Sequence, residues 1–430
     1  MPRPNILYLH SHDTGRYIQP YGYAVPTPNL QALAEEGILF RQAFCANPTC
    51  SASRACLLTG QSAHANGMVG LAHRGFVLAD YGHHLVNTLR PAGYHTALAG
   101  VQHEAAEERV QEIGYDQILG PPQEAHLVAG QFLRRRPPCP FFLSVGFNQT
   151  HRDFPEAGPG DNPAHCLPPA PLPDTPQTRA DMARFRTSAR QLDRLMGIVL
   201  DELRQARLAD ETLVLCTTDH GIAFPSMKCN LTDHGTGVML ILRGPGGFAG
   251  GRACDALVSH IDVFPTLCEV LQIPPPNWLE GRSLMPLVRG EVDQINEEVF
   301  GEVNYHAAYE PMRTVRTRRW RYICRYDGRA HPVLPNCDDG PSKTLWLEHG
   351  WAERQPPDEA LYDVVFDPNQ ADNLADRHGW QEPLAEMRGR LQAWMERTGD
   401  PLLQGPVPAP EGARVNDPDG LSPRESTRRA

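Results

Sequence analysis

No apolar run in this chain approaches the ~20 residues that a membrane-crossing helix needs, so no membrane span is expected. Excess positive charge is missing as well. Lys and Arg number 40 against 51 Asp and Glu, a net charge of −11 over 430 residues. That balance argues against nucleic acid as a general partner and leaves room for a local basic pocket around a small anion. Paired cysteines are absent too. The eleven cysteines are an odd count, scattered without a C-x-x-C pair, which fits reduced thiols better than a disulfide framework or a zinc knuckle. The start, "MPRPNILYLHSHDTG", shows no signal-peptide core before polar residues intervene, so a cytoplasmic location is expected.

Loops are plentiful. There are 41 prolines and 37 glycines, and hydrophobic residues make up 41% of the chain. The length suggests more than one domain. "NILYLHS" (5–11) reads as a buried strand running into polar "HDTG". "TPNLQALAEEG" (27–37) reads as a helix with Thr27 as cap, Pro28 in the first turn and Gly37 as stop. "HTALAG" (95–100) is a short strand after the helix "HLVNTLRPAG". "PFFLSVGF" (140–147) has the continuous apolar character of a strand buried on both faces of a parallel sheet. From Met182 to Leu203 apolar residues recur at threes and fours, as in a long amphipathic helix. "TLVLCTTDHG" (212–221) is a strand ending in Asp-His-Gly, "GVMLILRGP" (237–245) another strand, and "HIDVFPTLCEVLQI" (260–273) a helix. This alternation predicts an α/β fold with a mostly parallel central sheet and helices on both faces. After about residue 295, short strands and one helix predict a small C-terminal α+β subdomain over 296–400. Residues 401–430 are Pro-rich and polar, without a hydrophobic period, and read as a tail or arm that could cross to a neighbouring copy.

Ligands of open α/β sheets sit outside the carboxyl ends of the strands. Three strands end there in reactive side chains: His12 and Asp13, then His151, then Asp219 and His220. In "NPTCSASRACLLTG" (47–60), Cys50 and Arg54 are four apart at a helix start and so share a face. The helix N-terminus adds free N–H donors and partial positive charge, which suits an anion. The plainer alternative is a buried structural cysteine and a surface arginine. Two carboxylates and imidazoles from separate strand ends make a divalent-metal site plausible.

With these residues in view, the chain resembles the type I sulfatases of the alkaline phosphatase superfamily. "CSASR" (50–54) followed by "LLTG" (57–60) is similar to the family signature C-x-P-x-R-x-x-L-L-T-G. "TTDHG" resembles the second metal motif, and "LEGRSLMPLVRG" and "ALYDVVFDPNQADNLA" resemble late family marks. "GMVGL", "FPSMKCNL" and "YEPMRTVRTRRWR" look closest to the sulfamidase (heparan N-sulfatase-like) branch. The resemblance implies an alkaline phosphatase-like fold. It also implies a metal-dependent hydrolase of sulfate esters or sulfamates acting on a small anionic substrate. In the family the signature cysteine is oxidised by a maturation enzyme to 3-oxoalanine (formylglycine), whose hydrated aldehyde attacks sulfur with one hydroxyl and releases sulfate with the other.

Carried onto this chain, the resemblance makes residue 50 the nucleophile and a metal contact. Asp13, Asp219 and His220 match metal ligands, with His12 beside them. Arg54 would hold the diol. His103 matches the histidine of the family's G-K-x-H, and His151 the histidine near the leaving group. Lys228 matches the basic residue that binds sulfate oxygens, and His306 is a further substrate-binding candidate. The departures are His12 for the first aspartate, His220 for the usual asparagine, Val101 for the lysine of G-K-x-H, and Ala52 for the signature proline. The family's ion is Ca²⁺; the two imidazoles leave Mn²⁺ or Zn²⁺ open. Two alternatives stand beside the sulfatase reading: a phosphonate monoester or phosphodiester hydrolase, and a degenerate, non-catalytic sulfatase.

Overall fold

A computed structural model describes residues 3–430. The strands in chain order are β1 (Asn5–Ser11), β2 (Ile38–Phe44), β3 (His95–Gly100), β4 (Gln117–Leu119), β5 (Phe141–Gly146), β6 (Thr212–Thr218), β7 (Leu240–Arg243) and β8 (Arg252–Ser259). They form one sheet in the order β4-β3-β5-β1-β6-β7-β2-β8. All neighbours are parallel except those of β7, which runs antiparallel to both β6 and β2. The sheet is therefore mostly parallel, as the alternation of elements implies.

β1 lies at the centre, in register with β5 and β6, and all seven of its residues are buried. Alternate side chains go to opposite faces. Ile6 and Tyr8 join Phe142, Leu213 and Leu215 in one core, while Leu7 and Leu9 join Leu143, Val145 and Val214 in the other. The helix Pro176–Gln205 covers the second face through Leu192, Met196, Val199 and Leu203. It begins six residues before the first apolar residue of the periodic stretch, because the Thr175 side chain accepts from Thr178 N and Pro176 supplies a ready-made first turn.

The second sheet has the order β12-β11-β10-β9, formed by β9 (Glu298–Tyr305), β10 (Tyr309–Thr317), β11 (Trp320–Arg325) and β12 (Glu359–Asp363). All its pairings are antiparallel. The helix Gln381–Thr398 lays Leu384, Met387, Leu391 and Trp394 into its core. Beneath it Arg313 is fully buried. The guanidinium donates to Asp400 and to the carbonyls of Val303 and Met312.

The polar tail needs a correction. Residues 401–430 fold back onto the chain: Val407, Ala413 and Val415 are buried in the core of the second sheet. β13 (Arg414–Asn416) and β14 (Thr427–Arg429) pair with each other. Composition misleads here because a few well-placed small and branched side chains suffice to bury a short segment.

Candidate active site

β1 ends at Ser11, and the chain bends at the next two residues, the buried His12 and Asp13. Asp13 takes a positive φ of 52°, a conformation that few non-glycine residues adopt and that points to a functional constraint. β6 ends at Thr218 beside it, presenting Asp219 and His220. The loop after β5 brings in His151. Cys50 opens the buried helix Cys50–Thr59, which follows β2.

These elements meet at one point. His12, Asp13, Cys50, Asp219 and His220 are all buried, and each offers a ligand atom within 4.8 Å of the others. His12 Nδ1 lies 3.0 Å from Asp13 Oδ1 and 3.1 Å from Asp219 Oδ2. His220 Nε2 lies 3.3 Å from Asp13 Oδ1 and 3.8 Å from Asp219 Oδ2.

The donor chemistry fits a cation. His220 Nδ1 is 3.0 Å from the Gly221 carbonyl, and a carbonyl can only accept, so this nitrogen carries the proton. In the neutral ring Nε2 then keeps a lone pair, buried and without a hydrogen-bond partner among the described residues. It faces two carboxylates that also have only lone pairs to offer. Burial lowers the His12 pKa to about 4 despite the pull of both carboxylates, so this imidazole is neutral at neutral pH. Burial alone would raise Asp13, but the Lys228 ammonium holds its carboxyl well below the usual range. Two carboxylates, two imidazoles and a thiol meeting at one buried point form a candidate metal site.

Around this cluster stand the remaining candidates. Arg54 is buried, not at the surface. Its Nη2 donates to Ser11 O at 2.8 Å and to Asp219 Oδ2 at 2.9 Å, tying the ends of β1 and β6 together. His103 Nδ1 is 3.1 Å from His12 Nε2. The His151 ring stands edge-on to His12 with centroids 4.6 Å apart, and its Nδ1–H donates to the Arg152 carbonyl. Lys228 Nζ reaches Asp13 Oδ2 at 3.0 Å and Asp338 Oδ2 at 2.9 Å. His306 is buried; burial first and Lys228 next keep its pKa well below the usual value. The Cys50 thiol is pushed up by burial, against the pull of Lys228, so as a plain thiol it is a weak nucleophile.

Two participants escape sequence reasoning. His10 Nδ1 accepts from Arg54 Nη1, and its Nε2 lies 3.1 Å from Ser144 Oγ. It sits inside a strand, where a histidine carries no signal. Asp338 lies in an irregular loop far along the chain, and only its ion pair with Lys228 reveals it.

Two family models match: Sulfatase, over residues 4–129 and 123–273, and N-sulphoglucosamine sulphohydrolase, C-terminal, over 228–343. The chain belongs to the sulfatase family. As a sulfatase it is a sulfuric ester hydrolase. Human N-sulphoglucosamine sulphohydrolase is 31% identical over 466 residues, covering 94% of this chain and 92% of its own. An ulvan-active sulfatase of Formosa agariphila is 26% identical over 442 residues, covering 98% and 86%. Among solved structures, a putative sulfatase from Bacteroides thetaiotaomicron superposes with TM-score 0.74 at 21% identity, over 98% of this chain and 100% of that one. The phosphonate monoester hydrolase of Agrobacterium radiobacter superposes with TM-score 0.69 at 20% identity, over 92% and 96%. At such identities the likeness is one of fold, shared by sulfatase and phosphonate hydrolase alike. No helix among the described residues is long and apolar enough to cross a membrane.

Proposed function

We propose that this sulfatase removes sulfate from a small saccharide, with the sulfamate of an N-sulfated amino sugar as its preferred substrate. The observation that carries the reading is the buried set His12, Asp13, Cys50, Asp219 and His220. The preference for sulfamate draws support from the sulfohydrolase relative and from the matching C-terminal family model.

Residue 50 is the nucleophile in this reading, as formylglycine installed by a maturation enzyme. That modification supplies a geminal diol, which a thiol held protonated by burial cannot replace. Asp13, Asp219, His12 and His220 would hold one divalent ion, which supplies Lewis acidity toward the sulfate oxygens and the nucleophile. Ca²⁺ prefers six to eight oxygens, whereas imidazole nitrogen suits transition metals. We therefore assign Mn²⁺ or Zn²⁺ to this site ahead of Ca²⁺.

The protein's own groups divide the remaining work. Arg54 keeps Asp219 ionised and in place. Lys228 meets the negative charge on sulfate, with the uncharged Val101 in the place of the lysine in the motif G-K-x-H that this segment resembles. His103 orients His12. His151, with Nδ1–H engaged by a carbonyl, keeps Nε2 for the proton that the leaving atom needs. Residues 1–295 form the catalytic unit, and 296–400 add Asp338 and His306 to its rim. Eleven cysteines without a disulfide favour a reducing, cytoplasmic setting.

The test is direct. Protein co-produced with a formylglycine-generating enzyme should release sulfate from N-sulfoglucosamine and 4-nitrophenyl sulfate. Mass spectrometry of the peptide holding residue 50 should show conversion, and Cys50→Ala should be inactive while still folded. Substantial turnover by Cys50→Ala would remove residue 50 from the chemistry.

A further inference from the structure

Lys228 and Lys343 are the chain's two lysines, and both hold the loop around Asp338. Lys343 Nζ donates to Cys337 O at 2.7 Å and to Asp339 Oδ1 at 2.9 Å. From the other side the folded-back tail donates Ser422 Oγ to Asp339 Oδ2 at 2.5 Å. The segment after the loop is pinned by Ser342, whose Oγ donates to the buried Asp181 at 2.6 Å. A loop clamped at both flanks holds Asp338 in a set position.

That position is unusual for the task. Asp338 Oδ2 is buried and lies 2.9 Å from Lys228 Nζ, yet the side chain keeps 15% exposure against 2% for Lys228. The exposure therefore falls on the rest of the side chain. Against the cost of burial, Lys228 holds the Asp338 carboxyl well below the usual range. A carboxylate at a sulfate site repels sulfate, so Asp338 is misplaced as a contact for the SO₃ group. It is well placed for a group that is, or becomes, positively charged.

We propose that Asp338 is a specificity-determining residue that receives the leaving nitrogen of a sulfamate, and so favours amine-releasing substrates over simple sulfate esters. The proposal rests on the substrate reading above. When the S–N bond breaks, sulfur gains its new bond to the residue-50 oxygen and the electron pair stays on nitrogen. One proton delivered to that nitrogen gives the neutral amine; a second, from solvent, gives the ammonium ion. A fixed carboxylate stabilises that growing positive charge. An alcohol or phenol leaving group develops negative charge on oxygen instead, and the same carboxylate opposes it.

The experiment compares wild type with Asp338→Asn, and with Asp338→Ser should the first variant fold poorly, after metal content and melting temperature are matched. kcat/KM for N-sulfoglucosamine should fall about tenfold or more relative to kcat/KM for 4-nitrophenyl sulfate, the scale of one charge-assisted hydrogen bond. An equal loss on both substrates would overturn the proposal and leave Asp338 as a support for Lys228 alone. A second arm measures inhibition of 4-nitrophenyl sulfate hydrolysis by glucosamine and by N-acetylglucosamine. Glucosamine inhibition should weaken about tenfold in the variants, while N-acetylglucosamine, which lacks the charge, shifts far less. Parallel shifts would also overturn the proposal. Should wild type cleave the aryl sulfate and not N-sulfoglucosamine, the substrate reading falls, and the inhibitor arm still decides Asp338.

Discussion

His84 offers a clean test of how burial shapes this protein's response to acid. The ring is fully buried and caps the helix Leu85–Leu89, where Nδ1 accepts from Val86 N at 3.3 Å. The proton therefore sits on Nε2, which has no partner among the described residues. Charging the ring would place a second proton on Nδ1, against an N–H that needs an acceptor. Burial lowers the pKa from 6.5 to about 3, with no neighbouring charge contributing. Between those values the unfolded chain binds the proton and the folded one does not, so stability falls as pH drops. The contribution is fully present above about pH 6.5 and declines by about 1.4 kcal/mol per pH unit below it. At pH 5 the penalty is about 2 kcal/mol, against about 0.2 kcal/mol at pH 7. His84→Asn keeps an oxygen acceptor for the cap and cannot ionise. Its smaller volume lowers stability at every pH by the same amount, leaving the slope as the readout. Urea unfolding at pH 5, 6 and 7 should show wild type losing about 2 kcal/mol more than the variant across that range. Other buried imidazoles, such as His12 and His260, cancel in the comparison. Equal pH slopes for the two proteins would refute the reasoning.

Asp219→Ala should abolish metal binding by elemental analysis, while His12→Asp should keep one ion per chain and tighten Ca²⁺ relative to Zn²⁺ in competition titrations; an unchanged preference would show that the imidazole does not set the ion. His151→Ala should harm substrates with poor leaving groups about 100-fold more than 4-nitrophenyl sulfate, whereas Lys228→Ala should harm both alike. The same leaving-group dependence in both variants would cancel the assignment of His151 as acid and Lys228 as anion clamp.

The central strands β1, β3, β5 and β6 are legible because both faces are buried and each contains an apolar run. β2 is not: "ILFRQAF" has Arg41 and Gln42 in its middle and follows Gly37 directly, so it lacks the apolar run of the central strands. β8, "RACDALVS", is exposed over its first half and lacks any apolar run. The direction of β7 depends on its neighbours and has no local code. The metal-cluster residues are legible because strand ends in such sheets present side chains to ligands. Asp338 and His10 are not, since their meaning lies in contacts made with Lys228 and Arg54, 110 and 44 residues away in sequence.

The place of β2 sets a clock for the residue beside it. Its neighbours in the sheet are β7 and β8, with Ile38 opposite Leu242 and Arg252. Cys50, directly after β2, is only 4% exposed once those strands are in place. During synthesis the segment around Cys50 emerges long before them. β8 is complete only at Ser259, about 200 residues later, which at 5–20 residues per second is roughly 10–40 s. On the proposed formylglycine reading, an enzyme that must take hold of Cys50 in an extended segment would have that interval on the ribosome in which to do it. Slowing translation would lengthen it, and faster translation would leave more chains folded around an unconverted thiol.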